Sequence, residues 1–134
     1  MGMKGEAGME TKQMNSKSIL VVEDSPTELR IVTDLLEGNG YQYSVATDGE
    51  EALRKAMQIR PQVMLLDVVL PKKNGFQVCR QLKNSPETKD IKIIVLSSKN
   101  QESDRYWGLR QGADLYMTKP FRSEELLEAI LRFF

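Results

Sequence analysis

Three short, continuously apolar runs recur along this 134-residue chain, within residues 18–22, 63–66 and 92–96. Longer stretches with the periodicity of amphipathic helices separate them. Continuous apolar runs are typical of strands that are covered on both faces, and alternation with helices is typical of a parallel sheet with crossover connections. The pattern therefore predicts an α/β fold built on a central parallel sheet.

Two further predicted strands, at residues 41–46 and 113–117, carry polar side chains and suit the edges of a sheet. Right-handed crossovers then give the strand order 2-1-3-4-5. This is the doubly wound arrangement known from flavodoxin, in which ligands bind at the carboxyl ends of the strands. We expect a five-stranded sheet with five helices.

The first helix is predicted by Ser25 as N-cap, Pro26 at the first helical position and Glu28 three residues after the cap. Asp48 and Glu51 repeat this capping pattern for the second helix. The third helix is predicted at residues 75–83. The last helix, at residues 123–134, is expected to bury one stripe of side chains, Leu126, Leu127, Ile130, Leu131 and Phe134.

The fourth helix, capped by Asn100 and running to about residue 111, has a polar beginning and is interrupted by Gly108. Its core face is weak, so we expect it to be the most mobile helix.

Composition restricts the partners and the compartment. Lys plus Arg and Asp plus Glu are equal at 19 each, so the whole-chain charge favours neither nucleic acid nor an anionic membrane. The single cysteine, Cys79, cannot form an internal disulfide, and no segment approaches the roughly 18 apolar residues of a membrane span. We expect a cytoplasmic domain at residues 17–134, preceded by a flexible tail at residues 1–16.

Polar residues follow four of the predicted strands, either directly or one residue later. They are Glu23 and Asp24, Asp67, Ser97, and Lys119. Because parallel strands end at one edge of a sheet, these side chains are predicted to share one pocket.

Three carboxylates in one pocket repel each other unless a cation lies among them, and an all-oxygen ligand set favours Mg²⁺. Alternatively, Glu23 and Asp24 are only acids near the positive end of the first helix. With Mg²⁺ beside it, Asp67 can act as a nucleophile toward a phosphoryl group, with Lys119 and the Ser97 hydroxyl stabilising the transferred charge. A cis bond before Pro120 would aim Lys119 inward.

Taken in order, these residues resemble the receiver domain of response regulators in two-component signalling, over residues 17–134. The matching positions are the acidic pair Glu23 and Asp24, the phosphoacceptor Asp67, the loop residues Pro71 and Gly75, the switch residues Ser97 and Tyr116, and Lys119 with Pro120. Within that family, the chain resembles the stand-alone regulators of chemotaxis and pilus motility, particularly the twitching-motility type.

The resemblance implies that Mg²⁺ is held by Asp24, Asp67 and the backbone carbonyl of Val69, with Glu23 acting through water. It implies that Asp67 accepts a phosphoryl group from a histidine kinase or phosphotransfer protein. Such a chain is a phosphoryl acceptor with intrinsic autodephosphorylation rather than an enzyme. Hydrolysis should be slow to moderate, because Val69 and Lys99 at the flanking positions are poor general bases.

The resemblance also implies a protein partner for output, since no DNA-binding or enzymatic domain follows residue 134. Ser97 would move toward the phosphoryl group, and Tyr116 would turn from an exposed to a buried rotamer. The face formed by helix 4, strand 5 and helix 5 would then bind a downstream effector, with no nucleic-acid or membrane partner.

Three other classes compete with this interpretation. A phosphatase of the haloacid dehalogenase class needs a second Asp two residues after the nucleophile, where this chain has Val69. A flavin or nucleotide binder needs a Gly- or Ser/Thr-rich loop after the first strand, where Glu23 and Asp24 stand. An unphosphorylated interaction module would not need the full set of phosphorylation residues.

Overall fold

The fold is seen in a computed structural model that describes residues 15–134, and the side chains from Ser18 onward. Its elements are β1 (Asn15–Val22), α1 (Pro26–Gly38), β2 (Gln42–Ala46), α2 (Gly49–Ile59), β3 (Pro61–Leu66), α3 (Gly75–Lys83), β4 (Lys92–Ser97), α4 (Glu102–Arg110), β5 (Leu115–Thr118) and α5 (Ser123–Arg132). Most of the tail predicted at residues 1–16 lies outside the described residues, and its last two residues open β1.

The five strands form one parallel sheet in the order β2-β1-β3-β4-β5, which confirms the predicted topology. Val22 pairs with both Ala46 and Leu66, so β1, β2 and β3 end level with one another. Ser97 pairs with Thr118 at the same edge. The residues that follow these strands therefore emerge at one edge of the sheet.

Alternation along the strands divides the core into two layers. Leu20, Met64 and Ile93 face α2 and α3, in a cluster with the buried side chains of those helices. Their neighbours Ile19, Val63 and Ile94 face the other side, in a cluster with residues of α1 and α5. Burial on both faces explains why the three central strands are continuously apolar.

The helix starts follow the predicted caps in most cases. The Ser25 hydroxyl accepts a hydrogen bond from the Glu28 amide, and the Asp48 carboxylate accepts one from the Glu51 amide. The fourth helix differs, since α4 begins at Glu102 with Gln101 as its N-cap instead of Asn100.

The predicted core stripe of α5 is wrong at Leu131, which is 62% exposed. The helix ends at Arg132, and its buried residues are Leu126, Ala129 and Ile130. Leu131 lies about 100° around the helix from Ile130 and so turns away from the sheet. None of the described helices is long and apolar enough to cross a membrane.

Candidate functional site

Asp67 directly follows β3 and is 8% exposed. Its amide donates to the Val22 carbonyl at 3.1 Å, which extends the pairing with β1 by one residue. Its Oδ1 atom accepts a hydrogen bond from the Val69 amide at 3.0 Å. The backbone therefore holds the Asp67 carboxylate in a fixed orientation at the carboxyl edge of the sheet.

The loop after Asp67 returns close to the strand end at Gly75. The Gly75 amide donates to the Val68 carbonyl at 2.9 Å. A Cβ atom at Gly75 would lie 2.4 Å from the Asp67 carbonyl oxygen and 2.5 Å from the Val68 Cα atom. Only glycine fits here without a shift of the backbone that carries Asp67.

Lys119 brings together residues that are far apart in the chain. Its amide donates to the Ser97 carbonyl at 2.8 Å, and its peptide bond to Pro120 is cis. Its ammonium donates to Glu23 Oε1 at 2.7 Å and to Asp67 Oδ2 at 3.3 Å, and it also pairs with Glu28. The predicted convergence of Glu23, Asp67 and Lys119 is present.

The third acid beside Lys119 is Glu28 of α1. Within the described part of the chain, Glu23, Glu28 and Asp67 form the acidic group whose carboxylate oxygens lie within 4.8 Å of one another. Asp24 is exposed and does not belong to this group.

From the sequence, Glu28 is expected only to take part in the capping pattern of α1. In the structure, Glu23 Oε2 accepts the Ser25 amide at 3.1 Å, and the Glu28 carboxylate contacts Lys119 instead. Glu28 lies three residues after Ser25, one helical turn inside α1 and near the strand ends. This position is the sequence signal that could have indicated its contact with Lys119.

Burial and ion pairing act in opposite directions on the charges of this site. Burial raises the pKa of Glu23, and the hydrogen bond from Lys119 offsets this only in part. Burial alone would lower the pKa of Lys119, but hydrogen bonds to Glu23 and Glu28 outweigh it and raise that pKa. Lys119 is therefore held as a cation that partly neutralises three acids.

Ser97 and Tyr116 lie behind this cluster. Ser97 is fully buried, and its Oγ accepts a hydrogen bond from the Lys99 amide at 3.1 Å. The Tyr116 hydroxyl donates to the Lys99 carbonyl at 2.8 Å. Tyr116 is 2% exposed. The resemblance implies an exposed Tyr116 rotamer before the switch, whereas the structure has the ring in the buried position.

The Tyr116 ring packs against α4. The Arg105 guanidinium lies 5.6 Å from the ring centroid and donates to the Tyr116 carbonyl at 3.0 Å. A Cβ atom at Gly108 would lie 2.8 Å from the ring. The glycine that weakens α4 as a helix is thus the residue that makes room for Tyr116.

The chain matches the family described as "Response regulator receiver domain" over residues 19–131, which is most of its length. The chain belongs to this family. The receiver domain is the phosphoryl-accepting module of two-component phosphorelay signalling, and this chain is a response regulator of that kind. The phosphatase and flavin-binder alternatives receive no support.

Among curated receiver proteins, the chain is similar to PilH of Pseudomonas aeruginosa, with 46% identity over 84% of this chain and 93% of that protein. It is 37% identical to PilG of the same organism, over 89% and 88% of the two chains. It is 43% identical to the transcriptional regulatory protein PhoP of Bacillus subtilis, but spans about half of that protein, 49%.

Solved receiver structures share the fold. Chemotaxis protein CheY4 of Vibrio cholerae has a TM-score of 0.82 and 30% identity, covering 90% of this chain and all of that one (100%). The receiver domain of the Pseudomonas aeruginosa sensor histidine kinase PA1611 has a TM-score of 0.82 and 29% identity, covering 89% of this chain and 98% of that one. That structure contains a magnesium ion coordinated in the active site cleft.

Proposed function

We propose that Asp67 is the phosphoacceptor of this receiver domain. A phosphohistidine of a histidine kinase or phosphotransfer protein would lose its N–P bond while an O–P bond forms to the Asp67 carboxylate. The observation that carries the proposal is the ion pair between Lys119 and the buried Asp67, which puts a fixed cation beside a carboxylate at the end of a central strand. A fixed positive charge at this point stabilises the charge of the transferred group.

The chemistry of the site fits Mg²⁺, because carboxylates from two strand ends and one helix converge there and Lys119 alone does not balance their charge. We propose Asp24, Asp67 and the backbone carbonyl of Val69 as ligands, with Glu23 acting through water. Asp24 would have to turn inward from its exposed position. When bound, the ion would neutralise charge during phosphoryl transfer.

Two further residues are proposed to bind the phosphoryl oxygens. The Lys119 ammonium already contacts Asp67 and would donate to an oxygen carried on it. Ser97 is placed at the neighbouring strand end, and its hydroxyl would donate after rotating away from the Lys99 amide. Val69 and Lys99 are both exposed and offer no carboxylate or amide to a hydrolytic water, which supports slow loss of the phosphoryl group.

We further propose that α4, β5 and α5 form the face that binds a downstream effector protein. Tyr116 couples this face to the site, because its hydroxyl reaches the residue two positions after Ser97 and its carbonyl accepts from Arg105 of α4. The exposed aromatic side chains of Tyr106 and Trp107 on α4 supply apolar contact area.

The assignment of Asp67 is tested by incubating the protein with acetyl phosphate and Mg²⁺ and mapping the modified residue by mass spectrometry. We expect one phosphoryl group on Asp67, none in Asp67→Asn and none in excess chelator. Asp90→Asn, which changes an exposed acid elsewhere, is the matched control and should be modified like the wild type. Modification that persists in Asp67→Asn would refute the assignment.

A further inference from the structure

The Lys119 ammonium has no N–H group to spare. A lysine ammonium offers three N–H donors and no acceptor. In this structure it contacts three carboxylates, those of Glu23, Glu28 and Asp67. Any further acceptor that binds Lys119 must therefore displace one of these three.

Glu28 is the carboxylate that can leave at the lowest desolvation cost. Its side chain is 48% exposed, whereas the side chains of Glu23 and Asp67 are 7% and 11% exposed. A released Glu28 carboxylate regains water, while a released Glu23 carboxylate would remain buried without a counter-charge, although it would keep its hydrogen bond from the Ser25 amide.

The Glu28 carboxylate also takes no part in the N-terminal cap of α1. The Ser25 hydroxyl accepts from the backbone amide of Glu28, and the Ser25 amide donates to Glu23. Exchanging the Glu28 carboxylate for an amide therefore leaves the N-terminal cap of α1 in place. The side chain can be tested separately from the fold.

We propose that Glu28 is a positioning residue that competes with the phosphoryl group for Lys119. This proposal rests on the phosphoacceptor function proposed above. Glu28 orients the ammonium toward Asp67 before transfer, and it must give up its hydrogen bond when a phosphoryl oxygen takes the same N–H. Because that exchange opposes phosphoryl binding, Glu28 limits how firmly the site retains the group.

The test is the affinity for beryllofluoride, a phosphoryl mimic, measured by calorimetry at saturating Mg²⁺. Glu28→Gln should bind it about two- to fivefold more tightly than wild type, the range expected from removing one partly exposed competing ion pair. Glu128→Gln, which removes an exposed acid on α5, is the matched control and should bind like the wild type.

Two further variants separate competition for Lys119 from general charge repulsion. In a Lys119→Met background, Glu28→Gln should give no gain, because the contested donor is absent. Glu28→Asp keeps the charge but is one methylene shorter, so competition predicts a gain in affinity and general repulsion predicts none.

The proposal is overturned if Glu28→Gln leaves beryllofluoride affinity unchanged or weaker, or if its gain persists in the Lys119→Met background. It is also overturned if Glu28→Gln lowers the affinity for Mg²⁺ alone by about tenfold or more, which would make Glu28 a metal ligand. If instead Asp67 is not the phosphoacceptor, Asp67→Asn should bind beryllofluoride with wild-type affinity. That result is distinguishable from the outcomes that overturn the role of Glu28.

Discussion

Lys119 is the counter-charge of several acids at the carboxyl edge of the sheet. Its ammonium pairs with the carboxylates of Glu23, Glu28 and Asp67, and those of Glu23 and Asp67 are buried. Because burial penalises the charges of Glu23 and Asp67, these two carboxylates depend most on Lys119 or on a bound cation for their stabilisation. Lys119 thus contributes to the stability of the metal-free domain, in addition to its proposed role in binding the phosphoryl group.

Replacing Lys119 with Met should therefore destabilise the metal-free protein by about 1 to 3 kcal/mol, since three acids lose their counter-charge. Mg²⁺ should then stabilise the variant more than it stabilises the wild type, because the ion replaces the missing charge. Thermal unfolding with and without Mg²⁺ measures both effects. Equal stabilisation of the two proteins by Mg²⁺ would contradict this account.

Cys79 provides a pH-dependent test at a single residue. The side chain is buried, and burial raises the pKa of its thiol to about 12. Because the unfolded thiol has an ordinary pKa of about 8.5, the folded state binds more protons between these values. The resulting stability is fully present below about pH 8.5 and is lost as pH rises toward 12.

Cys79→Ala should remove this component, at most about 1.4 kcal/mol per pH unit. Urea unfolding of both proteins at pH 8 to 10 should show a steeper decline for the wild type. The Cys79 thiol should also resist alkylation until the protein is unfolded. Parallel pH profiles for the two proteins would rule out the proposed contribution.

Helix α4 contacts the sheet in an unusual way, because Gly108 is its only buried residue. At Gly108 the helix has no side chain, and the Tyr116 ring of β5 occupies the space that a Cβ atom would need. The position of the ring and the position of α4 are therefore linked by direct contact. A change in one requires a change in the other.

Gly108→Ala should expose the Tyr116 ring, because the new Cβ would lie 2.8 Å from Tyr116 Cδ2. Burial raises the pKa of the Tyr116 hydroxyl, so the variant should titrate at a lower pH, as measured by ultraviolet absorbance. Gly38→Ala is the control, since a Cβ at Gly38 meets nothing within 4 Å. An unchanged Tyr116 titration in Gly108→Ala would contradict the contact.

Most helices and strands could be predicted from the sequence, because each shows the hydrophobic periodicity of its own type of element. This periodicity depends only on residues that are close together in the chain. The prediction is wrong where contacts between distant parts of the chain determine the partner or the exposure of a side chain. Glu28 matches a local capping pattern, but its carboxylate pairs with a lysine 91 positions away. Leu131 matches the α5 stripe by spacing, but the rotation of α5 against the sheet directs it to solvent.

A second polar cluster, formed by Lys83, Asp114 and the backbone of Ile91 and Ile93, lies at the opposite edge of the sheet, where the strands begin. Lys83 donates to the Asp114 carboxylate at 2.9 Å and to the Ile91 carbonyl at 2.8 Å. Asp114 also accepts the Ile93 amide at 2.8 Å. This cluster connects the end of α3 to the beginnings of β4 and β5, so it stabilises the scaffold away from the proposed phosphorylation site.

Asp114→Ala should lower the free energy of unfolding by about 1 to 3 kcal/mol, because it leaves Lys83 and the Ile93 amide without this acceptor. Urea unfolding measures the loss. Asp90→Ala, at an exposed acid, should change stability little. Phosphorylation of the folded variant by acetyl phosphate should remain at the wild-type level, and a loss of phosphorylation at full stability would contradict the separation of the two edges.

The single tryptophan of the chain, Trp107, lies half-exposed on α4 next to Tyr106. Its indole emission is consequently a built-in optical probe of the proposed effector face, with no second indole to obscure the signal. A protein that covers α4 should shift the emission to shorter wavelength and shield it from acrylamide. A protein that docks on α2 should leave both properties unchanged, so a quenching titration with unlabelled components distinguishes the two sides of the domain.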